Sequence, residues 1–375
     1  MATQQLMVPI EYTINVNVTR QDPGLATPNT SNIALFTTDA TNIEGDYGAY
    51  VEVDSALAAV NADSLTAQMI TALFAPNATF RNNDGQLFIV PITSTEAEAI
   101  ESAEDYMALV TEKKKQIPFF GVLIDTFDFD FDMTQFFTYV DTQPFLYGYG
   151  VKDYTDLDLS EYKGTEGLYT GGDLVNTKQA IAAFVSLGTS ANWNGSDTAL
   201  TMNLKSLAPI LAPGQIDTTI IGTLKEKGIS AYAITAGESE VYSHKNAGGY
   251  WDDKIGGKAL RLELQYNLYN LAKTTPTKIA QNESGVNMVR NAAGQAWQKF
   301  IDNGFLTTGI DWMGTSTFGN KEAFLRSIVQ NGYYQYNKPL STQTAAERAA
   351  RTITIQGAGQ SAGAIHFVTY NAILA

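Results

Sequence analysis

The sequence predicts a mixed α/β fold, in effect α+β, with a strand-like arm at each end of the chain. Three observations carry this. Short apolar runs alternate with helical patterns through the first half, from Ile33 to Tyr147. Long amphipathic helices dominate the second half. Both termini alternate apolar and polar residues in the two-residue period of a strand, and neither has an obvious partner nearby.

At the N-terminus, Tyr12, Ile14, Val16 and Val18 fall on one face of a predicted strand. A turn-rich joint follows, built on Gln21–Thr27 with Pro23 and Gly24 at its centre. Ile33–Phe36 is short and wholly apolar, as a buried strand is. Asp54 and Ser55 are placed to cap a helical turn ending near Val60, and Ser64–Phe74 reads as a helix stopped by Pro76. Leu87–Val90 is another buried strand. Thr95 opens a helix to about Lys115, with Ile100, Ala103, Met107 and Val110 spaced as a single buried stripe and Lys113–Lys115 at the end that suits the helix dipole. Phe119–Ile124 is a strand, Met133–Val140 a helix and Pro144–Tyr147 a strand. This alternation predicts right-handed crossovers and a largely parallel sheet.

Gly164–Gly172 reads as a loop. Asn176 caps a helix through Leu187; Ala208–Pro213 and Ile216–Lys227 read as helical, the latter closed by Gly228. Ile229–Thr235 and Glu238–Ser243 form a hairpin. Gly257–Lys273 and Ser284–Asn303 are amphipathic helices, Tyr333–Tyr336 is a strand, Thr344–Arg351 a short helix and Thr352–Ile355 a strand. A glycine-rich joint, Gly357, Gly359 and Gly363, then precedes the strand-like ending GAIHFVTYNAILA. In that ending Ile365 and Phe367 lie on one face, and His366, Val368 and Tyr370 on the other.

Composition narrows the function classes. The chain has 375 residues, 44% of them hydrophobic, enough for a sizeable core. No window approaches the roughly 18–20 apolar residues that a membrane span needs, and the first residues lack the pattern of a signal peptide. With no cysteine, disulfides and thiolate metal sites are excluded. The net charge of −15 is uneven: Glu44–Asp173 carries −17 and Leu174–Ala375 carries +4. Such asymmetry predicts two faces with different partners, although a solvated surface accounts for it as well. Nucleic acid is a poor partner, because phosphate binding needs a concentrated basic stripe.

Three patterns invite a catalytic or metal reading, and each fails on context. Gly357–Ala362 fits G-x-G-x-x-A after a strand, but no helix and no further sheet follow for a dinucleotide. Gly359–Gly363 fits G-x-S-x-G around Ser361, yet the chain's two histidines are His244, upstream, and His366, five residues on in the same segment. Asp125, Asp128, Asp130 and Asp132 are the densest acids. Counted from Asp128, Met133 and Tyr139 stand where a calcium loop needs glycine and a bidentate glutamate. An edge segment with Asp132 capping the next helix explains them better, and Asp252-Asp253 reads as a turn. No acid–base pair, cofactor site or metal site is nominated.

Taken whole, the chain resembles the tail sheath proteins of contractile-tailed bacteriophages. The likeness rests on Ile14–Thr19 with its Asp22-Pro-Gly24 turn, on Ile33–Thr37, and on Val286–Asn303 followed by Gly304-Phe-Leu306. It rests also on Ala346–Arg351 placed ahead of Gly363–Val368. The resemblance implies a structural protein without catalysis. Its subunits would form six-fold rings stacked helically around a tail tube, with terminal arms completing a sheet in neighbouring subunits. It implies residues 1–21 as an N-terminal arm, 22–245 as an outer or middle acidic α/β domain, 246–356 as an inner α/β domain facing the tube, and 357–375 as hinge and C-terminal β-arm. Implied partners are other sheath subunits, the tail tube protein, and baseplate and tail terminator proteins, in a virion tail assembled in the host cytoplasm. The chain is short for this family, so extra outer domains are expected to be missing. A phage-derived injection device of pyocin or secretion type is the structural alternative. An α/β enzyme, or a tail-tip sugar binder using the 19 tyrosines and 4 tryptophans, are the others.

Overall fold

Apolar strands with side chains buried on both faces need helices above and below them. A computed structural model of the chain, which describes residues 29–75, 85–125 and 131–368, has that arrangement. Its main sheet has eight strands in the order β2-β3-β1-β4-β5-β6-β7-β8. They are β1 (Ile33–Thr37), β2 (Gly48–Tyr50), β3 (Leu87–Pro91), β4 (Gly121–Ile124), β5 (Leu146–Val151), β6 (Thr165–Tyr169), β7 (Ile229–Thr235) and β8 (Glu238–Tyr242). From β3 to β7 every pairing is parallel, and the edge strands β2 and β8 are antiparallel. The mixed α/β class and the parallel centre follow the sequence pattern.

Alternation divides the sheet into two apolar faces. Ile33, Leu35, Leu87, Ile89, Leu123 and Leu146 face one core, with helices α1 (Val53–Leu57), α2 (Leu65–Phe74) and α6 (Leu174–Thr189) over it. Ala34, Phe36, Val90, Val122, Ile124 and Tyr147 face the other, under α3 (Ser94–Ala99), α4 (Ala103–Lys114), α5 (Thr134–Thr142) and α7 (Thr218–Glu226). The β7–β8 hairpin turns at Ala236 and Gly237, both at positive φ as tight hairpins require. The far edge of β8 is covered: Leu204 N–H donates to Val241 O at 2.8 Å, and Val241 N–H to Lys205 O at 2.9 Å.

The sheet is complete by Tyr242, and the chain then becomes helical. Helices α8 (Trp251–Thr274) and α9 (Glu283–Asp302) pack together; α10 (Lys321–Asn331), β9 (Tyr333–Asn337), α11 (Ala345–Ala349) and β10 (Ile355–Gly359) follow. Trp251 is fully buried against Phe184 of α6, which joins this part to the sheet.

Several expectations are corrected. Thr165–Tyr169, read as a loop, is the central strand β6. The single helix expected from Thr95 to Lys115 is two, because the Asp105 carboxylate accepts from Glu101 N–H and Ser102 Oγ and starts a new helix there. Its expected stripe shifts accordingly: Ala103, Tyr106 and Val110 are buried, while Ile100 and Met107 are half-covered. Lys113 and Lys114 do stand in the last turn of α4, and Lys113 is also buried against Asp46. Asp173, not Asn176, caps α6, and Glu52 precedes α1 in place of Asp54. Ala208–Pro213 is not helical; Tyr232 Oη donates to Ile210 O and accepts from Leu207 N–H, holding an irregular segment. Helix α10 was not anticipated, although Asn320 caps its start and Gly332 its end at a left-handed φ.

Candidate inter-subunit surface

Among the described residues, strands β9 and β10 form a two-stranded sheet, antiparallel from Ile355↔Asn337 to Gly359↔Tyr333. Two strands alone are marginal in water, so their stability must come from what lies beneath. That support is Trp297 of α9, stacked on Tyr333 with ring centroids 5.8 Å apart and planes 6° from parallel. Its indole also lies against Gly357 and Gly359, where an added Cβ would sit 2.7 Å and 2.8 Å from ring atoms. These two glycines, read in the sequence as a flexible joint, are therefore strand residues required by the close approach of an aromatic ring.

Beside β10 runs an apolar groove of about 380 Å³, with Leu264 and Leu268 of α8, Val289 and Ala293 of α9, and Ile353 and Ile355 along it. Among the described residues β9 is the one strand hydrogen-bonded to β10. An incoming strand would thus find backbone groups along one margin and an apolar floor below.

After β10 the chain stays tied down for three residues. Gln360 and Ala362 donate to Gly332 O and Phe305 O, and Thr307 N–H donates to Gln360 O. Then comes Gly363, at a φ of +64°, where an added Cβ would have no atom within 4 Å. Of the three glycines in the joint expected across 357–363, this one alone lies outside strand β10. Beyond it the described chain belongs to no helix or strand: Ile365 is 86% exposed, Phe367 66% and Val368 82%. Tyr12, Ile14, Val16, Val18, Pro23, Gly24 and Tyr370 lie outside the described residues.

Residues 251–373 match the family model of the E217 tail sheath protein gp31-like C-terminal domain. The chain carries a tail sheath domain. The complete fold agrees with it. One similar structure is a chain of the anti-feeding prophage baseplate, at a TM-score of 0.64 and 10% identity over 99% of each chain. Another is a chain of the anti-feeding prophage helical sheath in its contracted state, at 0.63 and 10% over 96% of this chain and 98% of that one. A sheath tail protein from Listeria innocua aligns at 0.55 and 8% over 90% and 96%. At such identities the likeness is one of fold. No curated protein sequence matches the chain.

The tail sheath domain thus spans α8 to the C-terminal segment, and it includes both catalytic-looking patterns. Gly357–Ala362 opens no helix; its first half is strand β10. Ser361 Oγ is directed at Asp253 Oδ1, 3.5 Å away, while His366 shares its hydrogen bond with Thr201 instead, so the nucleophile and base needed for hydrolysis are not joined. Of the acid cluster, Asp125 is buried and structural, accepting from Thr37 Oγ1 at 2.8 Å and Thr38 N–H at 3.0 Å. Asp132 accepts from Thr134 N–H just ahead of α5, a turn role close to the expected cap. Asp128 and Asp130 lie outside the described residues. Among the described residues no group of three acids or histidines is placed to hold a metal ion, and no helix is long and apolar enough to cross a membrane.

The polar junction between sheath domain and sheet was not legible in the sequence. Lys254 and Glu166 form an ion pair with both side chains fully buried. Glu166 also accepts from Ser230 Oγ at 2.6 Å, and Ser230 Oγ accepts from His244 N–H at 3.0 Å. Burial holds the His244 imidazole below its ordinary pKa, and its Nδ1 donates to Ile229 O at 2.6 Å. Asp252, next to Lys254, is pushed up to about 6 by burial and by Asp253. These groups fasten a helix to a sheet; their chemistry is structural.

Proposed function

We propose that the chain is the sheath subunit of a contractile tail or a phage-derived injection device, and that its C-terminal segment adds a strand to a neighbouring subunit. The observation that carries this reading is the exposure of Ile365, Phe367 and Val368 at the end of a tail sheath domain whose own β9–β10 sheet has room beside it. Apolar residues alternating along an unpaired segment are costly in water and set register once paired. Each backbone hydrogen bond so gained contributes about 0.5–1.5 kcal/mol, and a groove for alternate side chains supplies specificity. The N-terminal alternation of Tyr12, Ile14, Val16 and Val18 marks a second arm of the same kind.

In this reading subunits form rings around a tube, contacting the tube protein and, at the ends, baseplate and terminator proteins. Residues 246–356 lie toward the tube, and the acidic 22–245 part faces outward. Contraction slides and rotates subunits while arms stay paired, and Gly363 supplies the freedom at the joint. Similar structures from the anti-feeding prophage and from an extracellular contractile injection system favour keeping the injection device beside the phage tail.

The test is deletion of Gly363–Ala375. The truncated protein should remain folded and monomeric, while the full chain at high concentration forms tubes or ring stacks visible by negative-stain electron microscopy. Normal tubes from the truncated protein would sink the proposal.

A further inference from the structure

Among the described residues beyond Gly363, 364–368, the chain is largely exposed and touches its own subunit through His366 and Phe367. Of residues 362–368, His366 alone is partly covered. Its imidazole stands edge-on to the Tyr250 ring, with centroids 4.2 Å apart and planes at 76°. Its Nε2 shares a 2.9 Å hydrogen bond with Thr201 Oγ1, and its carbonyl accepts from Asn203 Nδ2 at 3.4 Å. On the next residue, the Lys225 ammonium lies 5.6 Å from the Phe367 ring centre. Thr201, Asn203, Lys225 and Tyr250 all precede the tail sheath domain, so the contact crosses from that domain onto the sheet-bearing part.

The contact is specific yet light. Two separate elements converge on His366, the 201–203 loop and the residue just before α8, and α7 adds Lys225 beside the Phe367 ring. The Nδ1 atom, however, is buried without a partner, and a permanent anchor would satisfy both ring nitrogens. The flanking apolar side chains remain in water. Resting on the strand-donation reading above, we propose that the surface formed by Thr201, Asn203, Tyr250 and Lys225 is a parking site for the chain's own C-terminal segment. His366 is its occupant, and the segment leaves it by turning about Gly363 to reach a neighbour. Parking keeps the sticky strand in one place on the free subunit, and its weakness lets assembly displace it. The partner of this surface is the same chain, before assembly.

The chain has no native cysteine, which simplifies the test. Chymotrypsin cleavage at Phe367 in unassembled protein, with hydrogen exchange followed alongside as a measure of the fold, should run roughly five- to tenfold faster in His366→Ala than in the parent, the size of one lost hydrogen bond with its ring contact. Thr201→Val, which removes the partner from another element, should give part of that increase. Exchange in β6 and α8 should be unchanged in both, which shows that the fold is intact. Equal protection in parent and both variants would overturn the parking site. A second arm uses Thr201→Cys with Ala364→Cys bridged by a short bismaleimide. If the segment must leave to assemble, the bridged protein forms no tubes and the unbridged double variant does. Tubes from bridged protein whose parent shows the protection difference would overturn release as a step in assembly, and with it strand donation, while leaving the parking contact standing.

Discussion

Glu166 on the central strand β6 and Lys254 on α8 face each other in an ion pair from which water is wholly excluded. The Lys254 ammonium also donates to Thr165 O at 3.2 Å, and the carboxylate takes the Ser230 hydroxyl. Both charges are therefore paired and hydrogen-bonded, which a buried pair needs to offset its desolvation. Their placement matters as much as their energy. Glu166 belongs to the sheet, Lys254 to the first turns of the tail sheath domain, and the pair fixes one against the other.

Removing one partner strands the other charge in the interior. Lys254→Met is expected to destabilise the protein by about 3–5 kcal/mol, and Glu166→Leu by a similar amount. The double variant should recover much of that loss, because no buried charge remains. Urea unfolding followed by circular dichroism on the two singles and the double closes the cycle; additive losses would show that the pair is not coupled.

That pair also explains why β6 was missed. Thr165–Tyr169 reads TEGLY, with a glutamate and a glycine in five residues, which no propensity scale favours as a central strand. The strand makes sense only once Lys254, far along the chain, neutralises Glu166. By contrast Ile33–Thr37 and Leu87–Pro91 were legible, because a strand buried on both faces declares itself as an unbroken apolar run. The C-terminal segment reads as a strand in the sequence, and residues 363–368 of it belong to no strand of the subunit itself. The role of Gly357 was not legible, since sequence cannot distinguish a glycine that bends from one that makes room for Trp297.

Asp252 should show the opposite pH behaviour from an ordinary surface carboxylate. Burial and Asp253 raise its pKa from 3.8 to about 6, and its Oδ1 is buried without a partner. An acid raised in this way favours the fold fully below its unfolded value and loses that contribution as pH climbs through the folded one. Asp252→Asn mimics the protonated form. It should stabilise the protein at pH 7.5 by up to about 3 kcal/mol, and the gain should vanish by pH 4. Thermal unfolding of both proteins across that range gives the answer, and a gain that is flat with pH would count against the argument.

Lys258, one turn on from Lys254, secures the same helix to a second segment. Its ammonium donates to Val140 O at 3.1 Å and to Gln143 O and Phe145 O at 2.7 Å each, gathering the chain between α5 and β5. Burial lowers its pKa to about 8, so at pH 7 it is still mostly charged and bonded. Lys258→Met leaves three carbonyls without this donor and should cost about 2–4 kcal/mol at pH 7. The loss should appear in denaturant midpoints without a change of slope.

The glycines ahead of the C-terminal segment give the last and sharpest contrast. At Gly357 and Gly359 a methyl group would strike the Trp297 ring, so Gly357→Ala or Gly359→Ala should destabilise the tail sheath domain by about 1–3 kcal/mol as overpacking does. At Gly363 nothing stands within 4 Å, and the penalty is confined to a backbone at φ +64°. Gly363→Ala should therefore cost about 1 kcal/mol or less in global stability, partly offset by a less flexible unfolded chain. Its effect belongs instead to the direction in which residues 364–368 leave the subunit. A Gly363→Ala protein that is nearly as stable as the parent but assembles poorly, beside a Gly357→Ala protein that unfolds early, places the turning point at Gly363. If all three substitutions lower stability alike, the turning point lies elsewhere.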